Sequence, residues 1–201
     1  MIYLSGKKIK CTDEIGVMLS FNAGKIIKHG HPMFAVDNGC FAQAGKYSDD
    51  GFLKWLDTLD RKNCLFASAP DVVGDAIATR KISYPMLSKI RELGFKAAYI
   101  VQDGETKDTI QWGEIDAIFV GGSTKWKLSQ SASDIVKSAK SKGKWVHMGR
   151  VNSFKRIQYA KAIGCDSVDG TFLVFGPDKN ERKLRSWLNR LKTQPMLELV
   201  V

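Results

Sequence analysis

The chain predicts an α/β fold: a compact, single-domain (β/α)8 TIM-like barrel, with parallel strands inside and helices outside. Three observations predict it. Eight short β-rich runs are bounded by Gly, Pro, Asn or Asp; amphipathic stretches separate most of the later runs; and six successive runs end in a carboxylate, an amide or a close-approach glycine. With 201 residues and 44% hydrophobic content, one domain with one substantial core is expected. The length sits at the lower edge for such a barrel, about 200 residues, so the connections are tight. An open doubly wound sheet has the same order of elements and is the alternative, because order along the chain does not establish closure.

The runs are Ile2 to Leu4, Gly16 to Phe21, Met33 to Val36, Cys64 to Ser68, Ala97 to Val101, Ala117 to Val120, Trp145 to Met148 and Asp166 to Val168. After the third, Ser48 is an N-cap before Asp49, Asp50 and the apolar series Phe52, Trp55, Leu56, Leu59. After the fourth, Ala76 to Leu93 carries Ile82, Met86, Leu87 and Ile90 at helical spacing and ends at Gly94; Pro85 inside it should kink or split the helix. SASDIVKSAKSKG follows the sixth run. GRVNS after the seventh offers N-cap chemistry for FKRIQYAKAIG, in which Phe154, Ile157, Tyr159, Ala160 and Ile163 close on Gly164. A basic amphipathic helix over about 178–192, with Leu184, Trp187, Leu188 and Leu191 on one face, completes the pattern.

Lys and Arg number 31 against 21 Asp and Glu, a net charge of +10 that favours an anionic partner such as nucleic acid but also suits a soluble basic protein with none. Cys11, Cys40, Cys64 and Cys165 lack CxxC spacing and a neighbouring His, so neither a zinc site nor a disulfide framework is indicated. His29 and His31 are too isolated for a metal site. No apolar run approaches the roughly 20 residues of a membrane span, and the N-terminal decapeptide does not read as a signal peptide. A reduced, cytoplasmic protein without a membrane partner is expected.

The strand ends carry the chemistry. Asp37, Asn38, Gly39, Cys40 and Phe41 follow the third run; Ala69, Pro70 and Asp71 the fourth; Gln102, Asp103 and Gly104 the fifth. Gly121, Gly122 and Ser123 follow the sixth, Gly149 and Arg150 the seventh, and Asp169 and Gly170 close the eighth. In parallel α/β sheets these ends line the ligand site. Any one Asp beside Gly also serves as an ordinary turn. Six on one rim, with no such concentration on the other, is the pattern of an active site.

In order and spacing, DNGCF (37–41), PD (70–71), IVQDG (100–104), FVGGS (119–123), HMGRV (147–151) and GCDSVDGT (164–171) resemble the tRNA-guanine transglycosylase superfamily. They look most like its compact phage branch, the DNA-guanine transglycosylases that install 7-deazaguanines. The resemblance implies Asp37 as general acid/base and Asp169 as nucleophile. It implies Asp71, Gln102, Gly121 and Gly122 as the base-recognition set, and Met148 with Gly149 as the pocket wall beneath the purine. It implies no metal or redox cofactor, DNA rather than tRNA as the polymer, and a free 7-deazaguanine as co-substrate, with accessory proteins an open class of partner. The chain departs from the family in three ways: the zinc grouping of the tRNA enzymes is absent, DSGG becomes DNGC, and the proline-threonine-arginine tail of the nucleophile motif is missing. Asp166 is the competing carboxylate, but three residues of strand put it on the opposite face from Asp169.

Lys125, Trp126 and Lys127 after the sixth run, and Arg150, Lys155 and Arg156 after the seventh, are the candidates for phosphate contact and base stacking. Trp126 reads equally as a loop anchor. The basic runs at 137–144 and 179–185 read as solvated helix faces. His147 lines the pocket or is a satisfied core residue. Two other readings stand beside base exchange: a glycosidase that lets water resolve the intermediate, and a non-catalytic nucleic-acid-binding subunit.

Overall fold

All eight runs are strands in the computed structural model, which describes residues 1–6, 11–21, 33–42, 45–174 and 176–193. They are β1 (Ile2–Ser5), β2 (Ile15–Ser20), β3 (Phe34–Asp37), β4 (Cys64–Ser68), β5 (Ala97–Val101), β6 (Ala117–Val120), β7 (Trp145–Met148) and β8 (Ser167–Gly170). Each is hydrogen-bonded in parallel to its sequence neighbour, and β8 pairs back onto β1 with Leu4 opposite Asp169. The sheet is therefore a closed barrel. One register shift interrupts the ladder, between β3 and β4.

The helices are α1 (Asp49–Asp57), α2 (Ala76–Glu92), α3 (Thr124–Lys127), α4 (Gln130–Ser141), α5 (Phe154–Ile163) and α6 (Pro177–Thr193). Side chains of Ser48, Asp75, Ser123, Ser129 and Ser153 cap the first five, each accepting a backbone N–H of the opening turn. Such a cap contributes about 1 kcal/mol. Here the caps also set where each rim loop stops. Gly164 ends α5 in the left-handed conformation, as its position predicts. Pro85 does not split α2, which runs unbroken for 17 residues because Met86, Leu87 and Ile90 are fully buried against the barrel. The four-residue α3 was not predicted; it has too few residues to show a period.

Two layers of core follow from the strand pleat. Leu4, Met18, Ala35, Phe66, Ala98 and Phe119 fill the barrel interior. The intervening strand residues, Tyr99, Ile118, Val146 and Val168 among them, pack outward against Leu56, Leu87, Ile135 and Leu184 of the helices. No helix among the described residues is long and apolar enough to cross a membrane. His29 and His31 lie outside the described residues.

Candidate active site

The same pleat that fills the barrel decides which rim residues meet. Ala35 and Phe119 face inward, so Asp37 and Gly121, two residues further on, do too. By this count Gln102 follows Ile100, Gly149 follows His147, and Asp169 follows Ser167. Asp37, Asp71, Gln102, Gly121, Gly149 and Asp169 all line one open cavity of about 160 Å³ at the carboxyl ends of the strands. Asn38, Phe41, Val73, Ile100, Phe119 and Arg150 complete its wall.

One side of the cavity is a preassembled polar set. Gln102 donates from Nε2 to Asp71 Oδ2 at 2.7 Å, and its Oε1 accepts the Gly74 N–H at 3.0 Å, so the amide is fixed in one orientation. Gly121 makes room for it: a Cβ there would come within 2.8 Å of Gln102 Nε2. Asn38 Nδ2 donates to the Ala69 carbonyl at 2.9 Å and reaches Asp71 Oδ1 at 3.4 Å, the same distance as the Cys40 thiol. Burial pushes the Asp71 carboxyl up, against these hydrogen bonds and the nearby Arg150 charge.

Asp37 accepts the Gly39 N–H at 2.7 Å. Burial is the main cause that pushes its carboxyl up to about 6; the Gly39 bond works the other way, and the Asp169 and Asp71 carboxylates add to the rise. Across the cavity, Asp169 Oδ1 lies 3.0 Å from His147 Nε2 and accepts the Arg150 N–H at 3.3 Å. To make that contact Arg150 adopts φ 59°, the one positive φ outside glycine among the described residues. Its guanidinium donates to the Gly122 carbonyl at 2.6 Å. Gly149 is required between them, since a Cβ would come within 2.5 Å of the Phe119 ring and 3.4 Å of Asp169 Oδ1.

Three predicted roles need correction. Met148 is not a pocket wall: it is one residue out of step with Gly149, points to the helix side and is 2% exposed in the outer core. Gly122 is likewise out of step with Gly121; it does not line the cavity and serves through its carbonyl and a φ of 74° beside Asp103. Lys127 is 4% exposed and donates from Nζ to the Gly149 carbonyl at 2.7 Å, so it supports the site from behind and presents no charge to a phosphate. Burial, with help from the Arg150 and Arg156 charges, pushes its ammonium down to about 8. Trp126 packs half-buried against the outer core as a loop anchor. Lys125 and Lys155 are exposed, whereas Arg156 is half-buried in a small recess with Lys127 and Tyr159.

Asp166 faces outward, held by Lys140 at 2.7 and 2.8 Å and by the Val146 N–H, so it does not share the cavity with Asp169. The residues to which sequence alone gave no role are Asn38, Cys40, Phe41, Val73, Ile100 and Phe119. Counting by twos from Gln102 and Gly121 finds the last two; Asn38 and Cys40 stood in the DNGC motif without a role. Among the described residues no three His, Cys, Asp or Glu side chains group as ligands of one metal ion.

No protein-family model and no curated protein matches the chain. Among solved structures it is similar to the PaMucR phosphodiesterase in complex with c-di-GMP, at 17% identity and a TM-score of 0.44, covering 72% of this chain and 62% of that one. It is similar to the Bacillus subtilis YkuI protein, which has an EAL domain, at 17% identity and 0.45, covering 80% and 44%. It is also similar to 3-hexulose-6-phosphate synthase from Salmonella typhimurium, at 14% and 0.44, covering 79% and 74%. The chain thus spans less than two thirds of the first two.

Proposed function

We propose that the chain is an enzyme, a DNA-guanine transglycosylase that exchanges guanine in DNA for a 7-deazaguanine. One observation carries the reading: two carboxyls, Asp37 and Asp169, open onto one cavity whose third side is the fixed Asp71–Gln102 pair. A purine's amide edge needs both an acceptor and donors, and a site built from such polar groups rejects bases that leave them unpaired.

Asp169 attacks C1′, forming a carboxylate ester as the bond from C1′ to guanine N9 breaks. Asp37, which holds its proton to about pH 6, gives it to the departing base. The 7-deazaguanine enters the same cavity, loses its N9 proton to Asp37 and displaces Asp169. Two inversions restore the sugar's configuration, as in retaining glycosidases. Phe41, Val73 and Phe119 give the cavity apolar walls that disfavour water at the ester. The target base must be single-stranded or flipped out, at a cost of a few kcal/mol. Phosphate contacts from Lys125, Lys155 and Arg150 on a chain of net charge +10 oppose that cost.

The test is incubation of purified protein with DNA and labelled guanine or a 7-deazaguanine, followed by mapping of any protein–DNA adduct. Label entering DNA and an adduct on Asp169 are the expected results. Abasic sites without incorporation would replace exchange with hydrolysis. Unchanged DNA, with binding that Asp37→Asn and Asp169→Asn leave intact, would make the chain a binding subunit.

A further inference from the structure

We propose that His147 is the positioning residue of Asp169: its Nε2–H holds one carboxylate oxygen and so turns the other toward the cavity. The role given to Asp169 rests on the transglycosylase reading; its orientation does not.

Donor and acceptor accounting fixes the direction. An indole N–H only donates, so Trp145 Nε1 donates to Ser167 Oγ, at 3.0 Å. The same hydroxyl lies 2.9 Å from His147 Nδ1, and Nε2 lies 3.0 Å from Asp169 Oδ1. A bare ring nitrogen at that distance would set its lone pair against those of the carboxylate, so Nε2 carries the hydrogen. Ser167, already accepting from the indole, turns its own hydrogen to Nδ1. Three bonds therefore run one way, from Trp145 through Ser167 and His147 to Asp169. All four side chains point into the barrel, at alternate positions of β7 and β8. The imidazole is fully buried and wedged between rings, its centroid 4.4 Å from that of Phe119 and 5.2 Å from that of Phe66. It does not line the cavity, so it acts on substrate only through Asp169.

The Arg150 N–H is a second donor to the same oxygen, and the described hydrogen bonds to this carboxylate all fall on Oδ1. Oδ2 is left to attack. As the bond from Oδ2 to C1′ forms and guanine leaves with the Asp37 proton, Oδ1 becomes the ester carbonyl oxygen, still facing both donors. When the incoming base displaces the ester, negative charge returns to the carboxylate under those donors, which eases its departure.

Protein labelled with ¹⁵N at histidine tests the assignment through long-range proton–nitrogen spectra. The chain has three histidines, so the His147 signals are those lost in His147→Gln. The expected wild-type pattern is a protonated Nε2 and a bare Nδ1, and Ser167→Ala, which removes the donor at Nδ1, should shift it toward mixed tautomers. His147→Gln, whose amide nitrogen can replace Nε2 as donor, should form the DNA adduct within about tenfold of wild type. His147→Leu should lose on the order of 10²- to 10³-fold. A protonated Nδ1 with a bare Nε2, or wild-type adduct formation by a folded His147→Leu, overturns the proposal; if that variant does not fold, the Ser167→Ala spectrum decides. A wild-type protein that shows the Nε2–H form but makes no adduct refutes the transglycosylase reading and leaves the orientation of Asp169 standing.

Discussion

Asp37 keeps its proton at a pH where an ordinary carboxyl, with a pKa near 3.9, has lost it, and this has two measurable results. Between about pH 4 and pH 6 the folded state holds a proton that the unfolded state has released, so stability falls as pH rises through that window and levels off above it. Asp37→Asn removes the effect: relative to wild type it should gain on the order of 2 kcal/mol between pH 4 and pH 8, read by denaturant titration. Adduct formation should also slow as pH rises beyond about 6, because the protonated acid is being depleted. Arg150 supplies a second residue-scale prediction. Its φ of 59° costs a side chain about 1–2 kcal/mol and glycine almost nothing, so Arg150→Gly should unfold at higher denaturant than Arg150→Ala. Which residues form the cavity was legible one by one: Asp37, Asp71, Gln102 and Asp169 are polar groups at strand ends, and they meet. Met148 and Gly122 were misassigned because a motif was read as a block, although strand alternation turns every second residue away. The burial of Lys127 had no signal, since a lysine five residues beyond a glycine pair has no sequence mark of its inward turn.

At the scale of elements, the strands were legible to within a residue or two because each is a short apolar run with a turn residue after it. Helices α1 and α5 were legible through their caps, and α2, α4 and α6 through their apolar spacing. The loops between them were not, and α3 with its Asp103–Ser123 anchor lies in one of these. The strand pleat separates the roles of two adjacent residues in a testable way. Gly149→Ala drives a methyl group into Phe119 beside Asp169, so it should cost about 1–3 kcal/mol and also depress adduct formation. Met148→Ala opens a hole in the outer core, costing about 2–5 kcal/mol, while the KM for free base stays at the wild-type value. Thermal melts beside base-exchange kinetics distinguish the two.

For the whole molecule, net charge was legible at once, but which cations face a polyanion was not, because that depends on where the loops after β6 and β7 bury their side chains. The difference is measurable as salt dependence. Lys125→Ala and Lys155→Ala should each lower the slope of log affinity for DNA against log salt by about 1, whereas Lys127→Met, which replaces a buried ammonium, should leave it unchanged. Closure of the barrel was predicted from eight strands and is settled by the pairing of β8 with β1. That pairing joins the earliest strand to the latest, and Asp169 sits on the latest. During synthesis the chain therefore carries Asp37, Asp71 and Gln102 long before it has Asp169. The seam that brings Asp169 to the others cannot form until residue 170 has emerged from the ribosome. On the proposed transglycosylase function, this topology keeps the protein chemically silent as a nascent chain and makes it competent in the same event that closes its fold.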